Sequence, residues 1–200
     1  MRTKHWTEGL VYAAPTCVEI TSRPSVNASV RLQGIDRIME IELLPQAGEL
    51  RSTVFENEHA GISRSVFFSI MIPITPFSFE GETVETSVRL DFIDFGVTDW
   101  RLLSNKSFVF PVNPEEGYID GSMYLGHAHN PADVTWIAFE GFRESSVEVD
   151  FDITFDFTYE GPSKLGKPSF TWRVVLNFDP NTLDATLREF LAPSNRRTKR

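Results

Sequence analysis

Residues 146–161 read SVEVDFDITFDFTYEG, and few stretches restrict a fold as tightly. Val147, Val149, Phe151, Ile153, Phe155 and Phe157 hold the odd positions, while Glu148, Asp150, Asp152, Thr154, Asp156 and Thr158 hold the even ones. Side chains two apart on a strand point the same way, so this beat predicts a strand with one buried and one wet face. A helix would scatter the acids round its circumference, and it would have to be built from β-branched and aromatic residues that favour strands.

The pattern recurs at 169–178, SFTWRVVLNF, with Phe170, Trp172, Val174, Leu176 and Phe178 on one side. The Gly/Pro/Lys-rich stretch 160–168 between the two runs predicts an antiparallel hairpin, with Thr171 and Arg173 beside the acids on the outer face. Further strands are expected at 18–22, 28–32, 66–74, 83–92, 107–112, 118–125 and 134–139. The run 66–74, VFFSIMIPI, is apolar on nearly both faces, as a central strand would be. Residues 35–44 fit either period, and strand is the favoured reading. One helix is expected at 179–193, with Asp179 as N-cap, Pro180 at the first helical position and an apolar stripe of Leu183, Leu187, Phe190 and Leu191. The tripeptides FEG at 79–81 and 139–141 and YEG at 159–161 mark turn positions, and SVRLDF (87–92) echoes SVEVDF (146–151).

The expected fold is therefore all-β: an antiparallel sandwich or flattened barrel, jelly-roll-like, with one C-terminal α-helix over an edge or open end. A single domain over 1–193 is expected, followed by a basic flexible tail at 194–200. The apolar fraction of 41%, with 17 Phe, is enough to fill one core of this size.

Acids outnumber bases 28 to 19, giving a net charge of −9. That balance disfavours nucleic acid and anionic membranes, whose phosphates reward a basic face, and favours a basic protein partner. Cys17 is the single cysteine, so neither an intrachain disulfide nor a thiolate cluster can form. The N-terminal stretch carries Glu8 and lacks a continuous apolar segment, so no secretory signal is expected and a cytoplasmic location is.

Two constellations are candidate sites. The first is the acidic ladder Glu148, Asp150, Asp152 and Asp156, whose common face would present anions to a partner. The second is His127-Ala-His129, with Asp120 before it and Asp133 after it. In a continuing strand both histidines share the parity of Met123 and Leu125 and project to the apolar side, where two imidazoles can share one ion. Otherwise they cap a strand end, with Asn130-Pro131 opening a turn.

Gly121, His127, His129 and Asp133 resemble the first motif of the cupin family, with Asp in place of Glu and Gly141 one residue late. The resemblance implies a divalent-metal centre with His127, His129 and Asp133 as ligands. Cupins add a histidine from a later strand, and none follows His129 here, so Asp120 or His59 would have to complete the set.

Of the four tryptophans, Trp136 and Trp172 lie on alternating apolar runs and are expected in the core. Trp100, near a turn, is the residue expected to be exposed and free to stack on a sugar. No phosphate-binding glycine loop, G-x-S-x-G, H-E-x-x-H or C-x-x-C motif occurs.

The sequence thus favours a non-catalytic, cofactor-free interaction protein of immunity or inhibitor type, with its acidic sheet face turned to a basic protein. The alternatives are a cupin-like enzyme or sensor with one divalent metal ion, and a carbohydrate-binding or structural β module.

Overall fold

The computed structural model describes residues 16–17 and 41–193. His5, Trp6, the strand expectations at 18–22 and 28–32, most of 35–44 and the tail 194–200 lie outside the described residues.

Among the described residues, nine strands form one sheet: β1 (Thr16–Cys17), β2 (Gly48–Asn57), β3 (Ile62–Phe79), β4 (Glu82–Ile93), β5 (Ser107–Val109), β6 (Asp120–Leu125), β7 (Ala128–Phe139), β8 (Ser146–Phe155) and β9 (Ser169–Asn177). A single helix, α1 (Pro180–Leu191), follows. Seven of the strands run in the order β2-β3-β4-β6-β7-β8-β9, and β9 returns to β2. Between the sandwich and the barrel, this pairing selects a closed barrel, with strands connected as a meander. Short β5 pairs with the far half of β7, and β1 pairs with β5.

Closure has a geometric consequence. Strand direction alternates along a meander, so a ring with an odd number of strands must contain one parallel contact. That contact is β2–β9, and it is short: Gly48 opposite Leu176 and Glu49 opposite Asn177. Beyond Asn177 the remaining length of β2 has no β9 beside it. Helix α1 packs there, against β2 and β3. The Thr186 hydroxyl donates to the Ser52 carbonyl at 3.2 Å, and Leu183 is buried in the core. Asp179 caps the helix start by accepting from the Asn181 N–H at 3.0 Å and the Thr182 hydroxyl at 2.6 Å. Arg64 on β3 satisfies the other end, donating to the carbonyls of Glu189, Phe190 and Ala192. Of the expected stripe, Leu183 and Phe190 meet the core, whereas Leu191 is exposed.

Inward side chains fill the barrel. Val147, Val149, Phe151, Ile153 and Phe155 of β8 are all buried, and Phe157 continues the beat past the strand end. On β3 the even positions from Val66 to Ile74 face inward. Phe67 is buried as well, on the outer face, beneath edge-on contacts from Phe55 and Phe92. That cover is why 66–74 reads as apolar on both sides. On β7 a bulge between Val134 and Trp136 shifts the parity, so Asn130, Ala132 and Val134 face inward before it and Ile137 and Phe139 after it.

The two FEG tripeptides fall at the ends of β3 and β7, and YEG lies in the loop between β8 and β9. Glu80 and Gly81, with φ of 52° and 89°, form the two-residue turn of the β3–β4 hairpin. Strand β2 is absent from the sequence expectations because its inner face carries only Leu50 and Val54 as apolar residues, too few to set a visible beat. Among the described residues, no helix is long and apolar enough to cross a membrane.

Candidate functional site

The β6–β7 hairpin decides where the histidines go. Leu125 is paired directly with Ala128, so Gly126 and His127 are the two loop residues. Gly126 has φ of 63°, which a glycine adopts at the first position of a primed hairpin turn. Directly opposed residues share a face. Ala128 therefore follows Leu125 inward, Asn130 follows it, and His129 points outward opposite Tyr124.

This corrects two expectations. His127 sits exposed at the hairpin tip rather than projecting to the apolar side, and His129 lies on the outer face, half-buried. Asn130-Pro131 continues the strand instead of opening a turn: Pro131 pairs with Ser122, and its carbonyl accepts from Asp156 N–H at 2.9 Å. Asp133 accepts from Asn113 N–H at 3.2 Å. Asp120 begins β6 opposite Asp91. His59 lies in the β2–β3 turn, at the end of the barrel away from the β6–β7 tip. Among the described residues, no group of three or more His, Cys, Asp or Glu is placed to hold a metal ion.

The acidic ladder lies on the outer face of β8, as its parity requires. Bases from neighbouring segments meet it. Arg173 on β9 grips Asp150 through two bonds of 2.7 Å and lies 3.8 Å from Glu140. Arg143 pairs with Glu148 at 3.1 Å, and Lys167 pairs with Asp156 at 2.7 Å. Thr171 donates to Asp152 at 2.8 Å.

The pairing shows in the ionisation. The Arg173 guanidinium is held well above its usual range, chiefly by its hydrogen bond to Asp150. Partial burial works against the charge on Asp156, but bonds from Lys167 and Thr158 outweigh it and hold that carboxyl below its ordinary value. Such exposed pairs add little stability, of order a few tenths of a kcal/mol each. Their larger effect is to cancel part of the field the acids would otherwise project. Even so, on this face Asp133, Glu148, Asp150, Asp152, Asp156 and Glu160 outnumber Arg143, Lys167 and Arg173.

A second feature lies next to the ladder and was not foreseen. Past β8 the chain runs on beside the start of β7 and brings Tyr159 and Glu160 to His129. The His129 and Tyr124 rings meet edge-on at 5.3 Å, and those of His129 and Tyr159 at 6.4 Å. Tyr124 and Tyr159 are 53% and 66% exposed, an unusual display for aromatic rings on a sheet. The Glu160 carboxylate accepts from the His129 backbone N–H at 3.3 Å. Among the described residues, no lysine, arginine or histidine side chain pairs with it. Once Gly126 is read as a hairpin turn, alternation places Tyr124 and His129 side by side on the outer face. That was the available signal.

Beneath this row lies Asn130, wholly buried. Its amide nitrogen donates to the carbonyls of Ala128 at 3.0 Å and Met123 at 3.2 Å, tying the hairpin together. Among the described residues its oxygen has no donor partner. It faces Gly161, where an added Cβ would come within 2.0 Å of it. The close approach therefore requires glycine at 161, and it sets the position of the two residues before it.

The tryptophans differ from expectation in two cases. Trp100 is buried and donates its indole N–H to Asp184 at 3.0 Å, so it is not an exposed stacking residue. Trp136 follows the β7 bulge, lies opposite Asp152 and is half-buried on the outer face rather than in the core. Trp172 is in the core, as expected.

Two surface grooves accompany these features. One, of about 310 Å³, lies between residues 41–44, the β3 segment Thr75–Phe79 and Leu165. The other, of about 480 Å³, lies where β2 and β9 part, beside the start of α1. No family model, curated protein or solved structure matches this chain.

Proposed function

We propose that this is a non-catalytic binding protein of the cytoplasm that turns the outer face of β7, β8 and β9 to a basic protein partner. The observation that carries the reading is an open sheet face on which acids exceed bases two to one, running from β7 to the β9 edge of the seam, while α1 packs against β2 and β3. Charge of one sign on a rigid sheet speeds encounter with an oppositely charged partner and orients it. The internal pairs also fit this use, because Arg143, Lys167 and Arg173 hold the carboxylates in fixed positions. The single cysteine supports a reducing compartment.

The test is affinity capture from the host extract with wild-type protein and with a Glu148→Lys/Asp152→Lys double variant, followed by reconstitution with the purified captured protein. Asp150 is left intact because it anchors Arg173. A one-to-one complex with a basic protein is expected. It should weaken as salt rises and weaken at least about tenfold in the variant. A variant that captures and binds the same proteins equally well refutes the reading.

A further inference from the structure

We propose that the row Tyr124, His129 and Tyr159, with Glu160 beside it, is a recognition site for an arginine side chain of the partner. The inference rests on the reading of the protein as an acidic-faced binder, and it locates the contact that the ladder alone leaves undefined.

The contrast in charge compensation carries it. Along the ladder, Glu148, Asp150 and Asp156 each have a basic side chain within 3.1 Å. An incoming cation there has to compete with a bound one. Glu160 has no such counter-ion among the described residues, although it is exposed, follows Tyr159 in sequence and meets the His129 backbone N–H. An anion without a counter-ion beside exposed aromatic surface is complementary to a planar, weakly hydrated cation. A guanidinium stacks on an aromatic face while its N–H groups reach a carboxylate. An ammonium gives up more hydration for a less directional contact, which makes arginine the better fit.

A second, independent observation shows that the arrangement is built. The loop carrying Tyr159 and Glu160 is seated by Gly161 against the buried Asn130 oxygen, at a distance no other residue allows. The same Asn130 amide fixes the hairpin that carries Tyr124 and His129. One buried side chain thus sets both halves of the row, and the rings need little ordering when a ligand arrives.

The probe is Nα-acetylarginine methylamide, titrated into the full chain and followed by NMR, with the citrulline analogue as its neutral isostere. Saturable shifts are expected at the side chains of Tyr124, His129 and Tyr159, with the citrulline analogue at least fivefold weaker. Glu160→Gln and, separately, Tyr159→Ala should each weaken the arginine probe at least fivefold. Amide spectra of both variants should match wild type elsewhere. Shifts scattered over all exposed acids, equal binding of citrulline, or full binding by Glu160→Gln would each overturn the proposal. So would saturation of the row by a neutral disaccharide such as cellobiose, which would make it a sugar platform.

The two readings fail separately. If the ladder variant loses the captured partner but the arginine probe ignores the row, only this inference falls. If the probe binds the row and capture is unchanged by ladder reversal, the acidic-face reading falls and the guanidinium site stands.

Discussion

Substituting Gly161 by alanine tests the packing that positions the aromatic row. The new Cβ would lie 2.0 Å from Asn130 Oδ1, 3.1 Å from its Cγ and 3.2 Å from the Phe157 carbonyl oxygen. Carbon and oxygen settle no closer than about 3.3 Å, so something has to move by an ångström or more. The Asn130 amide is a poor candidate, because swinging it breaks the bonds to Met123 and Ala128. Each bond contributes about 1 kcal/mol, and a carbonyl left buried without a donor costs about 1–3 kcal/mol. If the loop lifts instead, Phe157 is drawn from the core. Either route predicts a loss of about 2–4 kcal/mol, in the range of overpacked interiors.

Asn130→Ala alone gives up the same two bonds but also removes an unpartnered buried oxygen, so the expected cost is smaller, about 1–2 kcal/mol. With alanine at 130 there is room for the Cβ at 161. The double variant should then sit within about 1 kcal/mol of Asn130→Ala, giving a favourable coupling of at least about 1 kcal/mol. Urea unfolding of the four proteins, analysed at a common slope, measures it. Additivity within about 0.5 kcal/mol would refute the claim that these two residues share one contact. Gly161→Ala should also weaken the arginine probe at the row while leaving Glu160 itself unchanged.

Three more outcomes follow from the fold. Thr186→Val removes the hydroxyl that meets the Ser52 carbonyl and should cost about 1 kcal/mol in urea unfolding, with faster amide exchange in α1. Gly121→Ala would set a Cβ 2.1 Å from the Ala132 carbonyl oxygen, a backbone atom with no rotamer to yield, so it should cost more than about 3 kcal/mol or prevent folding, as circular dichroism would show. Asp184 and Asp179 are held below the ordinary carboxylate value of 3.8, the first chiefly by the Trp100 indole N–H and the second chiefly by the Thr182 hydroxyl. Their contribution is therefore complete above that value and is lost as pH falls through the lower folded-state value. Asp184→Asn should flatten the fall in urea midpoint on that acid limb, and an unchanged limb would contradict the assignment.

How much of this was legible in the sequence depends on whether a residue's role is local. The beat of β8 is local: parity alone places Val147, Val149, Phe151, Ile153 and Phe155 inward, and all five are buried. The cap of α1 is local too, since Asp179 and Pro180 act within one turn. The alternative in which both histidines project inward fails because a turn at Gly126 inverts the parity of everything after it. A slip of a single residue moves a side chain from core to solvent. Trp136 was misjudged for the same reason at the β7 bulge. The ladder was placed correctly, but its compensation depended on partners as distant as Arg173, 23 residues from Asp150. Trp100 had no local signal at all, because Asp184, which receives its N–H, lies 84 residues later.

The closure of the barrel connects these pieces. An odd ring needs a parallel contact, and here that contact has only two residue pairs, so that, among the described residues, most of the β2 edge facing away from β3 has no strand beside it. An edge of that kind invites pairing with other chains unless it is covered. Helix α1 covers it, and its Thr186 supplies a donor that β9 does not. Helix α1 is thereby committed to the seam and to the barrel end where β9 stops. The β6–β7 tip and the loop after β8 lie at the other end, so among the described residues no helix or strand covers Tyr124, His129 and Tyr159. The exposure of those rings follows from where the helix is required. A variant with α1 removed should therefore lose stability and self-associate through β2, while a stabilising change at the seam should leave recognition by the aromatic row untouched.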